Sequence, residues 1–197
     1  MNKTEIRERC RAAREALSQE EIREKSQRIA RRLYSRPEYR AARTVFCYLD
    51  FDNEVETTKI VETALGEGKR VAVPLVLAEK RNLRSVMIKN LERDLASGFR
   101  NIREPIDRDA PGIDPHEIDL ALIPGTAFDP AGNRLGRGAC YCDRFLNRLR
   151  PGTPRLGLAF DCQLVGRINP EPHDVAMDLI ITEDRVIKPG ATDNVAD

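Results

Sequence analysis

Residues Gly132 to Arg144 read GNRLGRGACYCDR. Gly132, Gly136 and Gly138 alternate here with Arg134 and Arg137, and Tyr141 and Asp143 follow. An apolar run, Ile118–Leu122, lies just upstream and ends in Ile123-Pro124-Gly125, and a helix-like segment, Asp143 to Leu149, lies downstream. A glycine-rich turn between a buried strand and a helix is suited to phosphate. Glycine lets the backbone approach a ligand, and the first amides of a helix carry partial positive charge. Arginines donate to phosphate oxygens, and a carboxylate can hold magnesium. The spacing therefore predicts nucleotide binding, against the plainer alternative of a surface turn. It fits neither GxxxxGK[ST] nor GxGxxG, because Tyr141 stands where the last glycine of the second pattern belongs.

A second cluster lies at the amino end. Ile6, Cys10, Ala13 and Leu17 recur at helical spacing, and Lys3, Arg7, Arg11 and Arg14 form a basic stripe beside them. By residue type alone that stripe is either a solvated face or an anion site. The cysteines at 10, 47, 140, 142 and 162 form no CxxC pair, and the only histidines are His116 and His173. Reduced, structural cysteines are a more economical account than a zinc site on Cys140 and Cys142. No Ser–His–Asp arrangement and no cysteine–histidine pairing is evident.

The elements that must position these residues alternate. Ser18 with Glu21 is a capping box that opens a second helix after the first, giving an N-terminal helical pair. Strands are expected at Thr44–Leu49, Arg70–Val76, Arg84–Ile88, from Ile118, at Arg155–Phe160 and at Asp178–Thr182, with a helix over Thr57 to Leu65. Leu91 to Glu117 is polar and proline-bearing and reads as irregular. Alternation of this kind predicts an α/β, three-layer Rossmann-like fold with a mainly parallel sheet, as one domain over residues 1–197. Ligands of such sheets bind beyond the carboxyl ends of the strands, so the glycine loop and the loop Asp50–Glu56 are expected to face one cleft. The net charge of +1 gives no electrostatic case for nucleic acid or an anionic membrane. No apolar run approaches the roughly 20 residues of a membrane span. The N-terminus lacks the apolar core of a secretion signal, and Glu5, Glu8 and Glu15 argue against a transit peptide. A cytosolic location is expected.

The ordered motifs resemble the 5-formyltetrahydrofolate cyclo-ligase (5,10-methenyltetrahydrofolate synthetase) family over nearly the whole chain. They are Lys3, Arg7 and Arg14 before Leu17-Ser18; Glu54-x-x-Thr57; Pro124-Gly125, Phe128-Asp129 and Gly132; Arg134-Leu135-Gly136-Arg137-Gly138; Tyr141 and Asp143; and Gly157–Phe160, Gln163, His173-Asp174, Asp178 and Ile181–Glu183. The resemblance implies ATP-dependent cyclisation of 5-formyltetrahydrofolate to 5,10-methenyltetrahydrofolate, with release of ADP and phosphate. Phosphorylation turns a poor formamide oxygen into a good leaving group, so the protein needs no nucleophile of its own.

The resemblance also implies roles. Lys3, Arg7, Arg14 and the run Arg134, Leu135, Gly136, Arg137, Gly138, Ala139, Cys140, Tyr141, Cys142 would hold ATP. Leu49, Glu54, Thr57 and Tyr141 would hold the folate, and Arg137 and Tyr141 would act at the reacting groups. Asp143 and Asp178 would share Mg2+, and His173 would be structural. The family loop usually carries lysine or glycine, then glycine, and later tyrosine, where this chain has Ala139, Cys140 and Cys142. If that glycine takes positive φ, Cys140 is strained. Both thiols would lie at a helix start, where thiolate is favoured. The altered loop also admits a second function: binding folate or nucleotide without turnover.

Overall fold

The computed structural model describes residues 1–80, 82–98, 102–138 and 140–190. The chain opens with α1 (Lys3–Glu15) and α2 (Gln19–Tyr34), each started by a reciprocal cap, Asn2 with Glu5 and Ser18 with Glu21. After a short α3 (Pro37–Ala41) come β1 (Thr44–Cys47), α4 (Thr58–Gly66), β2 (Arg70–Leu77) and β3 (Asn82–Ile88). The polar stretch that read as irregular contains α5 (Leu91–Asp94) and a hairpin of β4 (Leu95–Ser97) and β5 (Arg103–Pro105). Three-residue strands are too short to leave a periodic signal. β6 (Leu120–Ile123) leads into a second small hairpin, β7 (Ala127–Phe128) and β8 (Arg134–Leu135), and then α6 (Tyr141–Leu146), β9 (Arg155–Leu158), β10 (Leu179–Ile181) and β11 (Val186–Ile187).

Among the described residues the main sheet has seven strands in the order β11-β10-β9-β6-β1-β2-β3. The interior run from β10 to β2 is parallel, and β11 and β3 add antiparallel edges. Strand residues alternate between two cores. Val45, Cys47, Val71, Val73, Leu120, Leu122, Leu156 and Leu158 meet the apolar faces of α2 and α4 through Ile29, Leu33, Ile60 and Val61. Phe46, Ala72, Ala121, Ile123 and Ile180 face the other way and pack on Phe145 and Leu146 of α6. This is the three-layer Rossmann-like arrangement expected from the alternation. Among the described residues no helix is long and apolar enough to cross a membrane.

The chain runs from β1 outward to β2 and β3, then returns to place β6 on the other side of β1. The carboxyl ends of β1 and β6 therefore diverge, which makes the crevice where doubly wound sheets bind ligands. Phe128 closes the floor of this region. Its ring is fully buried and lies between two glycines. A Cβ at Gly125 would come within 2.5 Å of the ring, and one at Gly157 within 2.6 Å. We expect Gly157→Ala to destabilise the fold by about 1–3 kcal/mol through overpacking, read as a lower urea midpoint at unchanged slope.

Candidate active site

The site is built from the two loops that follow β1 and β6. After β1 the chain turns sharply, with Asp52 and Asn53 both left-handed at φ 57. Thr57 ties that turn down. Its hydroxyl lies 2.9 Å from the Tyr48 carbonyl and 2.9 Å from the Asp50 carboxylate, and its amide donates to the same carboxylate at 2.8 Å. The turn presents Phe51 and Glu54 to a cavity of about 360 Å3. Leu49 and Thr57 do not line this cavity. Leu49 packs in the core under α2 and α4, and Thr57 is the fastener of the loop.

After β6, Gln163 holds the turn Pro124-Gly125-Thr126 by donating to the Gly125 carbonyl at 2.7 Å and to that of Thr126 at 3.2 Å. The hairpin β7–β8 is organised by Asp129, whose carboxylate accepts from the amides of Ala131, Asn133 and Ile168 at 2.7–3.0 Å. Asp129-Pro130-Ala131-Gly132-Asn133 is a recognisable hairpin turn, and it was the sequence signal for an element that a single glycine loop hides. β8 delivers Arg134 to the base of the glycine loop. The guanidinium donates to Asp143 Oδ1 at 2.7 Å and to the Pro124 carbonyl at 3.3 Å, and it is almost completely buried. A Cβ at Gly136 would lie 2.8 Å from Arg134 Nη1. Gly136 is therefore small to admit an arginine beneath the loop.

The N-terminal helix closes the site from the β6–β9 side. Ile6 and Cys10 pack with Ala127, Leu135, Val165 and Ile168. This leaves Lys3 and Arg7 of the basic stripe on the cavity. Arg7 Nε donates to the Gly136 carbonyl at 2.9 Å. Lys3 Nζ lies 2.8 Å from Glu171 and 3.2 Å from Asp174. Arg14 is buried against Asp52 at 3.3 Å and opens, with Arg7, Arg11 and Arg137, onto a second hollow of about 330 Å3. Arg137 crosses the mouth. It lies 3.0 Å from Glu54 and 3.5 Å from Asp52 and stacks on Phe51 with 4.9 Å to the ring centroid. Burial pushes the Glu54 carboxyl above its usual range, against the opposing pull of Arg137 and Arg14.

The loops after β1 and β6 do share one cleft, and Lys3, Arg7, Glu54, Arg134, Leu135, Gly136, Arg137, Gly138, Cys140, Tyr141, Cys142 and Asp143 all line it. Ala139 lies outside the described residues. Asp178 is not brought there. It precedes β10, at the amino end of the parallel strands, and its carboxylate is bound by Arg155 at 2.8–2.9 Å through the backbone amide and the guanidinium. The two aspartates therefore do not form a shared site, and Asp143 already commits Oδ1 to Arg134. Among the described residues no three His, Cys, Asp or Glu side chains cluster as metal ligands.

The altered loop takes the positive φ on which strain at Cys140 was conditional. Cys140 stands at the start of α6 with φ 54 and ψ 23, a left-handed conformation. Its Sγ is 3.5 Å from His173 Nε2. A cysteine–histidine contact therefore exists where the sequence offered none, because residues 33 positions apart carry no local signal. Cys142 does not behave as an activated thiol. Burial pushes its thiol up, with Arg134 only partly opposing this.

Two outcomes follow from these contacts. Asp143→Asn leaves the buried Arg134 charge without its anion and should destabilise the protein by roughly 3–5 kcal/mol, and adding Arg134→Met should recover part of that loss; urea titration of the single and double variants measures both. Cys140→Gly relieves the left-handed cost of an L-residue and should raise stability by about 0.5–1 kcal/mol after the added flexibility of the unfolded chain is counted, seen as a higher thermal midpoint.

Residues 1–183 match the 5-formyltetrahydrofolate cyclo-ligase family. The Escherichia coli K12 5-formyltetrahydrofolate cyclo-ligase is 32% identical over 178 residues, which cover 89% of this chain and 97% of that protein. The mitochondrial enzyme of that name from Arabidopsis thaliana is 35% identical over 167 residues, which cover 73% of this chain and 60% of the longer plant protein. Among solved structures, the Aquifex aeolicus 5,10-methenyltetrahydrofolate synthetase superposes with a TM-score of 0.84 at 28% identity, covering 100% of this chain and 97% of that one. The Mycoplasma pneumoniae synthetase gives 0.75 at 25% identity, covering 93% and 99%. Both the hairpin-borne arginine and the Glu54 turn lie inside the matched region, and the chain belongs to the 5-formyltetrahydrofolate cyclo-ligase family.

Proposed function

We propose that this chain catalyses the ATP-dependent cyclisation of 5-formyltetrahydrofolate to 5,10-methenyltetrahydrofolate, with release of ADP and phosphate. The observation that carries this reading is the union, in one cavity, of the Phe51–Glu54 turn with the cations Lys3, Arg7 and Arg137. One wall offers an aromatic ring and a carboxylate to a fused heterocycle. The other offers positive charge to phosphate. When bound, ATP supplies the phosphoryl group that makes the formyl oxygen a leaving group, and the substrate's own nitrogen closes the ring.

The protein's work is alignment and charge. Arg7 is fixed by the Gly136 carbonyl, so its remaining N–H groups are aimed along the loop. Lys3 is held between Glu171 and Asp174, which raise its pKa above the usual lysine value by hydrogen bonding and keep it cationic. Arg137 is half-exposed and held at the mouth by Glu54, Asp52 and the carbonyl and ring of Phe51, so it can transfer to a developing phosphoryl charge without breaking core contacts. Tyr141, at the first position of α6, shapes the wall between the two ligands. Glu54 and Phe51 face the folate ring. The two-carboxylate magnesium site does not fit these residues. Magnesium would be carried by the nucleotide phosphates.

Cys140 supports a second reading, in which the chain binds ligand without turnover. A left-handed cysteine touching His173 sits where the resemblance expects a free glycine. The appearance of methenyltetrahydrofolate absorbance, with and without ATP, separates the two. ATP-dependent product favours the first, and calorimetric folate binding without product favours the second. In the turnover case Arg137→Met should lower kcat on the order of 100-fold, as loss of one preorganised donor does, with little change in the urea midpoint because the side chain is half-exposed.

A further inference from the structure

Among the described residues, four side chains carry a buried polar atom with no partner: Arg14, Tyr39, Glu104 and Arg134. Three of these atoms belong to arginines or a phenol. The fourth, Glu104 Oε1, is a carboxylate oxygen, a strong acceptor that receives nothing from the described residues. Glu104 is only 2% exposed, yet it lines the cavity. It comes from β5, inside the stretch that looked irregular in the sequence, and no motif singled it out.

Its surroundings fix one side of the carboxylate and leave the other buried without a partner among the described residues. Arg108 Nη1 donates to Oε2 at 2.8 Å, and Arg108 is itself anchored by the Val76 carbonyl at 3.2 Å. The backbone of Gly98 lies flat on the side chain, so close that a Cβ there would meet Oε2 at 2.6 Å. The neighbouring cavity wall, Pro74, Val76, Leu83 and Ile102, is apolar. A buried acceptor on an apolar wall is expensive to leave unanswered. The terminal torsion of a glutamate is soft, so a small rotation turns the unanswered oxygen to the cavity.

The geometry points to Glu104 as a specificity residue that accepts a hydrogen bond from the amino edge of the folate's pterin ring; this rests on the function proposed above. Two ligands of that reaction carry an amino group on a fused heterocycle, the pterin and adenine. Position favours the pterin. The cations of α1 and the glycine loop stand on the β6–β9 side of the crevice, with α1 packed against Ala127 and Val165. Glu104 stands on the β2–β3 side, next to Val76 and Leu83 and on the same half of the sheet as the loop that carries Glu54. Glu54 cannot replace it without first giving up its partners, since its oxygens already accept from Phe51 N at 3.3 Å and Arg137 at 3.0 Å.

The test compares 5-formyltetrahydrofolate with its analogue lacking the 2-amino group, in kcat/KM and in calorimetric affinity, for the wild-type protein and for Glu104→Ala. Wild type should prefer the amino-bearing substrate by roughly 10- to 100-fold, the range of a hydrogen bond to a charged group. That preference should collapse toward unity in Glu104→Ala, and Glu104→Gln, which keeps an acceptor oxygen, should restore part of it. If Glu104→Ala fails to fold, Glu104→Met fills the same volume without an acceptor and carries the same comparison. A parallel arm pairs ATP with the purine nucleotide lacking the 6-amino group. An intact pterin preference in the acceptor-less variants, or a loss of discrimination on the adenine arm instead, overturns the proposal. Wild type that neither binds nor converts 5-formyltetrahydrofolate overturns the function itself and this assignment with it. Wild type that converts it while the variants still discriminate overturns the Glu104 role alone.

Discussion

Arg134 is a full charge held where water scarcely reaches, and the glycine loop is arranged around that fact. Its guanidinium requires an anion, which Asp143 supplies from the first turn of α6, and a carbonyl, which Pro124 supplies from the end of β6. Those bonds join the hairpin, the strand and the helix at one point. They also set the residues nearby. Gly125 and Gly136 must lack side chains because Arg134 and Phe128 fill the space where a Cβ would go. Buried ion pairs are weak sources of net stability but strict sources of geometry when every partner is in place. Here the geometry in question is the path of residues 136–138 over the cavity.

That constraint changes the meaning of several residues. Arg134 and Asp143 were legible as site residues from their type and spacing, but the pairing between them was not. As a result, a carboxylate that by itself suggests a metal ligand serves in part as a counter-ion. Asp178 shows the same limit in a different way. A strand-edge aspartate has the right chemistry for magnesium, and only the direction of the parallel strands reveals that it stands at the wrong end of the sheet. Linear order cannot convey which end of a strand a neighbouring loop occupies until the topology is known.

The alternation of helices and strands was plain in the sequence because runs such as Arg70–Leu77 and the capped helices α1 and α2 carry strong periodic and capping signals. The shared cleft of the Glu54 turn and the glycine loop followed from the rule for parallel sheets. What escaped was short or distant. The β4–β5 hairpin gives no period, so Glu104 was invisible. The Cys140–His173 contact joins positions with no local relation. The resemblance implies folate contacts for Leu49 and Thr57, but both are buried away from the cavity, one packed in the core and the other tying the loop.

The docking of α1 has a consequence for how the chain reaches this state. Ile6 and Cys10 find their apolar partners at Ala127, Leu135, Val165 and Ile168. The apolar face of α1 is thus covered by residues that all lie far along the chain. Loop closure over that separation is slow compared with local helix formation. A chain in which α1 has formed before those partners dock exposes an apolar stripe flanked by arginines, the kind of surface that promotes aggregation during folding. Docking of α1 is also the step that brings Lys3 and Arg7 to the cavity, so the cationic wall is assembled by a long-range contact.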